Sequence, residues 1–134
     1  MTAPLDDDTL MTQFAEGSLG EFPHRDHVRM AWLYLRRWPL AEAAARFMAD
    51  LQRFAAAKGA PMLFHATITW AYLVLVHERM HGSEAGTWES FATAHPDLLT
   101  WKPSVLDRYY HEATLWSDRA RATFVLPDRL APGA

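Results

Sequence analysis

The stretch PMLFHATITWAYLVLVHERMHG, Pro61 to Gly82, decides the fold. Between Ile68 and Val76 its apolar residues fall on every side of a helix, and a helix apolar all round belongs at the centre of its domain. Proline is tolerated in a first turn and glycine ends helices, so the spacing predicts one helix from Pro61 to about His81. The strongly apolar part is nine residues long and contains Thr69. That is far short of the roughly 20 residues needed to cross a bilayer.

Helical spacing continues on both sides of this segment, and polar-apolar alternation of period two is nearly missing. A short helix is expected from about Asp6 to Glu16, with three acidic residues where the helix dipole favours them and Gly17 as the stop. Its apolar residues are Leu10, Met11 and Phe14. A second helix should start near Pro23 and run through HRDHVRMAWLYLRRW to Trp38, where Pro39 ends it. A third follows in LAEAAARFMADLQRFAAAKG, with Leu40, Ala44, Phe47, Met48, Leu51 and Phe54 on one stripe and Gly59 as its cap. Beyond the linker Gly82 to Gly86, Thr87 caps WESFATA, which His95 and Pro96 interrupt. One or two helices are expected around SVLDRYYHEATL and SDRARATF, the second capped by Ser117, and a tail from Leu126. The expected fold is all-α: a single domain over residues 1–134, a bundle of about five to seven helices around the central helix 61–81, with 1–5 and 129–134 as tails.

Composition narrows the chemistry. The 134 residues carry 13 Lys and Arg against 16 Asp and Glu, half are hydrophobic, and none is cysteine. Disorder and a polyelectrolyte role on nucleic acid are poor readings of such a chain. Disulfides, thiolate catalysis, iron-sulfur clusters and sulfur-bound zinc are excluded. The N-terminus MTAPLDDD has neither a basic patch nor an apolar stretch, so a soluble cytoplasmic protein is expected. Phosphate-binding glycine loops and a nucleophile elbow have no local match.

The seven histidines are then the residues to place. His95, before a proline, and His111, beside Glu112, read as partly exposed and structural. His24 and His27 share one helical face, a spacing used when adjacent turns hold one metal. His65, on a face continuing through Thr69, Tyr72 and Val76, completes a three-histidine set if the second and fourth helices pack with these ends together. The plainer reading has His24 flanking a helix end, His27 bonding a neighbour and His65 satisfying a buried carbonyl. The string His77-Glu78-Arg79-Met80-His81 matches the HExxH pattern of zinc peptidases. However, Glu84 and Thr87 stand where the extended form of that motif has glycine and histidine, and no strand is readable to hold a peptide. Glu78 and Arg79 are better read as ion-pairing residues. His65 and His77 are twelve residues apart, about 18 Å and 120° on one helix, so one metal cannot use both.

Among the aromatics, Trp32, Tyr34, Trp70, Tyr72, Trp101, Tyr109 and Tyr110 either line an apolar pocket or fill the core, and core is the commoner fate at helical spacing. Arg119 and Arg121 suit an anion, although a solvated terminal helix accounts for them equally simply.

The runs FPHRDHVRMAWLYL, FHATITWAYLVLVHERM and LDRYYHEATLWSDRARATFVLPD resemble a family of small bacterial all-helical proteins, over Phe22 to Asp128. Paired His24 and His27, His65 with Thr67 and Thr69, Tyr109 and Tyr110, Ala120-Arg121 and Pro127-Asp128 carry the resemblance. It implies which positions to suspect and brings no activity with it, and it gives no support to His77 and His81 as ligands.

The leading expectation is a small metal-dependent enzyme acting on a small organic molecule. His24, His27 and His65 would hold a divalent transition metal, with zinc, iron or copper suiting a nitrogen-only set. Thr69 and Tyr72 would orient substrate, and Tyr109 or Tyr110 would enter from the last helices. Two alternatives stand beside it: a non-catalytic helical module binding an apolar ligand or a protein partner, and a zinc peptidase built on His77, Glu78 and His81. Expected partners are a small molecule and, at most, a second copy in a homodimer; neither nucleic acid nor a membrane is expected.

Overall fold

The computed structural model describes residues 6–82 and 86–129. Among them are α1 (Asp7–Glu16), α2 (His24–Arg37), α3 (Leu40–Ala57), α4 (Ala66–Met80), α5 (Trp88–Ala94), α6 (Glu112–Leu115) and α7 (Asp118–Ala122). Single 3-10 turns occupy Pro61–Leu63, Pro96–Leu98 and Val105–Arg108, and no strand is present among the described residues. The fold is an all-helical single domain. None of its described helices is long and apolar enough to cross a membrane. The tail expectations for 1–5 and 130–134, and residues 83–85 of the linker, lie outside the described residues. Arg129 is described, and its N–H donates to the Tyr109 carbonyl at 2.9 Å.

Local chemistry accounts for the helix ends. Asp6 accepts from the Thr9 N–H, and Gly17 takes the left-handed conformation (φ 78°) that closes α1. Thr87 and Ser90 form a reciprocal capping box on α5, and Ser117 caps α7 through the Ala120 N–H. Pro39 separates α2 from α3.

One boundary departs from the sequence expectation. The segment from Pro61 does not run on as a single helix. It makes a 3-10 turn, passes through extended residues at Phe64 and His65, and α4 begins only at Ala66. His65 is the N-cap, in an extended conformation (φ −136°, ψ 111°), and its ring nitrogen accepts from the Ile68 N–H. A side-chain acceptor satisfying a free N–H of the first turn explains why the helix starts there.

α4 is central in its packing, since it meets α2, α3 and α7. It is not covered on every side: Leu73 and Val76 are fully buried, whereas Val74 is 46% exposed. A second packing hub is Phe14, fully buried, whose ring meets Phe22, Tyr34, Phe47 and Phe54 at centroid separations of 4.9 to 6.0 Å. This aromatic cluster joins α1, α2 and α3. α2 packs on α4, and residues from the N-terminal turns of both border a common cavity.

Candidate functional site

A cavity of about 360 Å³ lies between the first turns of α2, the first turns of α4, the 3-10 turn at Pro61–Leu63 and the C-terminal segment. His24, His27 and His65 all line it. The three histidines singled out by their spacing therefore border one space, as do Thr69 and Tyr72. Tyr109, by contrast, is not among the lining residues: it packs half-buried against the core. Tyr110 is buried and donates its hydroxyl to the Val125 carbonyl at 2.6 Å.

His24 is the first residue of α2. Its Nε2 lies 2.9 Å from the Leu98 carbonyl oxygen, an acceptor only, so Nε2 carries the hydrogen and Nδ1 the lone pair. The ring meets Tyr72 and Trp101, each at a centroid separation of 4.9 Å. Burial lowers its pKa, against the bond to Leu98, which favours the charged form. One turn on, His27 stacks on Phe22 at 3.9 Å. Burial first, and the neighbouring His24 second, push its pKa down to about 4 against a hydrogen bond to the Phe22 backbone.

His65 is the most constrained of the three. Its Nε2–H donates to the Leu115 carbonyl at 2.7 Å, while Nδ1 accepts from the Ile68 N–H at 3.1 Å. Both ring nitrogens are committed to the protein, one as donor and one as acceptor, which fixes the tautomer and leaves no lone pair for a ligand. Its pKa is lowered, chiefly by burial, with the bond to Leu115 opposing and the positive charge of Arg121 adding to the shift. Thr69 donates its hydroxyl to the His65 carbonyl at 2.7 Å. The Tyr72 hydroxyl pairs with the Ser104 hydroxyl at 2.9 Å, and burial raises its pKa.

At neutral pH the cavity thus presents three uncharged imidazoles. Among the described residues, no three histidine or carboxylate side chains are grouped so as to hold a metal ion. The remaining walls are apolar or aromatic. Leu51, Ile68 and Leu73 supply an aliphatic floor, and the indoles of Trp101 and Trp116, perpendicular to each other at 6.5 Å, also line the space. Arg121 closes one end, its Nη1 donating to the Met62 carbonyl at 2.9 Å. Met62, Leu63 and Trp116 are 67%, 56% and 47% exposed, so the mouth has an apolar rim.

Helical spacing does not single out Trp116: it follows a four-residue helix with no periodic signal, and the residue before it, Leu115, is held through its carbonyl by His65. Arg121 is carried there by α7, which packs on α4.

The HExxH string is elsewhere. His77 and Glu78 are exposed on the last turns of α4, and His81 is exposed beyond its end. None of the three lines the cavity. Arg79, between them, forms a two-pronged ion pair with Asp97 at 2.8 and 3.0 Å and also contacts His95 Nδ1 at 3.1 Å. His95 and Asp97 are thereby tied to α4, which accounts for His95 as a structural residue.

No family model, curated protein or solved structure matches this chain.

Proposed function

We propose that the protein binds a small, flat, mainly apolar organic molecule in the cavity between α2, α4 and the C-terminal segment. One observation carries this reading: a space of about 360 Å³, walled by aliphatic and indole groups, whose lining also includes a few imidazole- and hydroxyl-bearing residues. Ligand pockets run from about 300 to 1,000 Å³ and are mostly apolar, with a small number of polar groups to fix orientation. His24 Nδ1 supplies an acceptor, and the Trp101 and Trp116 rings supply faces for stacking.

Calorimetric titration with indole tests the reading. The wild type should take up one equivalent saturably, and Ile68→Trp, which fills the cavity from its floor, should lose the heat while still unfolding cooperatively. Absence of saturable heat in the wild type, or equal binding by both proteins, would overturn it.

The metal-dependent reading keeps one supporting observation, that the three histidines line one cavity. It requires His65 to give up either the Leu115 carbonyl or the Ile68 N–H, both within hydrogen-bond reach. Metal analysis of the purified protein separates the two readings. Ligand binding alone predicts a metal content that is unchanged in His24→Ala and His65→Ala, whereas a histidine-held metal predicts its loss in both.

A further inference from the structure

We propose that the molecule this cavity is built for is a small aromatic monocarboxylate, its ring between the indoles and the aliphatic floor and its carboxylate on Arg121. This rests on the ligand-binding reading above and adds the charge and the group that meets it. Among the described residues, no aspartate or glutamate lines the cavity, and Arg121 is the one permanently charged side chain in its wall. That guanidinium spends one N–H on the Met62 carbonyl and forms no ion pair with a carboxylate among the described residues. Its remaining N–H groups form a planar fork, the geometry that matches a carboxylate with two parallel hydrogen bonds.

The surroundings favour one negative charge and oppose two. His65 and Trp116, the neighbours of Arg121, are an uncharged imidazole held in one tautomer and an indole whose ring lies 5.9 Å from the guanidinium carbon. One cation in a wall of low polarity stabilises a monoanion, and a dianion would leave a second charge without a partner. Both α2 and α4 also present their N-terminal turns to this space, so the backbone dipoles there add potential of the same sign. The aromatic body follows from a lining that combines two indoles, one able to stack on a ring and the other, perpendicular to it, to meet that ring's edge, with the aliphatic Leu51, Ile68 and Leu73.

The experiment is a calorimetric comparison of indole-3-acetate, its neutral isostere indole-3-acetamide, and indole, at low ionic strength. The wild type should bind the acetate about tenfold more tightly than the acetamide, the preference expected of a charge-assisted pair in a partly buried site. Added salt should reduce that preference, a test that needs no variant. Arg121→Gln should bring the acetate affinity down to that of the acetamide, and Arg121→Lys should keep part of the preference. A purely structural role for Arg121 would weaken all three ligands together and so contradict the proposal. Acetamide binding as tightly as acetate, with indole still bound, would overturn the carboxylate inference alone. Failure of all three to bind would overturn the ligand-binding reading as well.

Discussion

His65 ties the start of α4 to the C-terminal segment. It caps α4 through Ile68, holds the C-terminal segment through Leu115, and presents its ring edge to Trp116 at 5.4 Å. Removing it leaves a carbonyl without its donor and a helix without its cap. His65→Ala is expected to destabilise the protein by about 2 to 4 kcal/mol in urea unfolding, whereas His65→Asn, which keeps a capping acceptor, should lose less. A loss below about 0.5 kcal/mol in the alanine variant would mean that the ring is not buried in this bonded form. Arg79 gives the contrasting case. His77→Ala and His81→Ala, at exposed positions, should change stability by less than about 0.5 kcal/mol. Arg79→Ala should destabilise by about 1 kcal/mol, because its half-buried fork holds Asp97. Equal effects at all three positions would contradict that account of the string. At this scale much of the site was legible in the sequence. Helical spacing put His24 with His27, and His65 with Thr69 and Tyr72, on faces that do share one cavity. For His65 the plainer sequence reading, a buried carbonyl satisfied, matches the structure; what the sequence could not reveal is that the carbonyl belongs to Leu115, fifty positions away, and that His24 takes the Leu98 carbonyl.

Helix ends followed local chemistry closely. Asp6, Gly17, Pro39, Thr87 and Ser117 act within a turn of themselves, so their roles can be read without knowing the fold. Thr87→Ala should therefore lower stability by about 1 kcal/mol by removing one half of the capping box, measurable as a shift in urea midpoint at constant slope. An unchanged midpoint would show that the box adds nothing beyond what water supplies. The break between Pro61 and Ala66 escaped sequence reading because Met62, Leu63 and Phe64 are all compatible with helix. What stops the helix is the cap at His65 and its pull on Leu115, a contact between distant parts of the chain. The same cause hid Trp116: α6 is a four-residue helix placed by tertiary contacts, and no periodic pattern marks which way it faces.

For the molecule as a whole, the two packing regions differ in kind. Phe14 is fully buried at the middle of its aromatic cluster, so Phe14→Ala should cost about 3 to 5 kcal/mol, as large-to-small changes in a packed core do. The histidine wall should instead make stability depend on pH. All three cavity histidines have pKa values held below the usual 6.5, His27 at about 4. As pH falls through 6.5 the unfolded chain takes up protons that the folded chain refuses, so stability declines. For His27 the decline is about 1.4 kcal/mol per pH unit until its folded value is reached. Asp97, held below 3.8 chiefly by Arg79, adds a further loss in stronger acid, and Asp26, raised by burial, works in the opposite direction. Urea titrations between pH 7 and 4.5 should show the decline, and a flat profile would contradict burial of neutral histidines. The most direct test of the central claim uses the indole N–H signals of the six tryptophans in a proton-nitrogen NMR spectrum. Adding unlabelled indole should shift Trp101 and Trp116 progressively to saturation and leave Trp32 and Trp88, packed on each other at 5.8 Å, in place. Unmoved Trp101 and Trp116 signals, or shifts spread over Trp32 and Trp88 as well, would contradict a ligand site at this cavity.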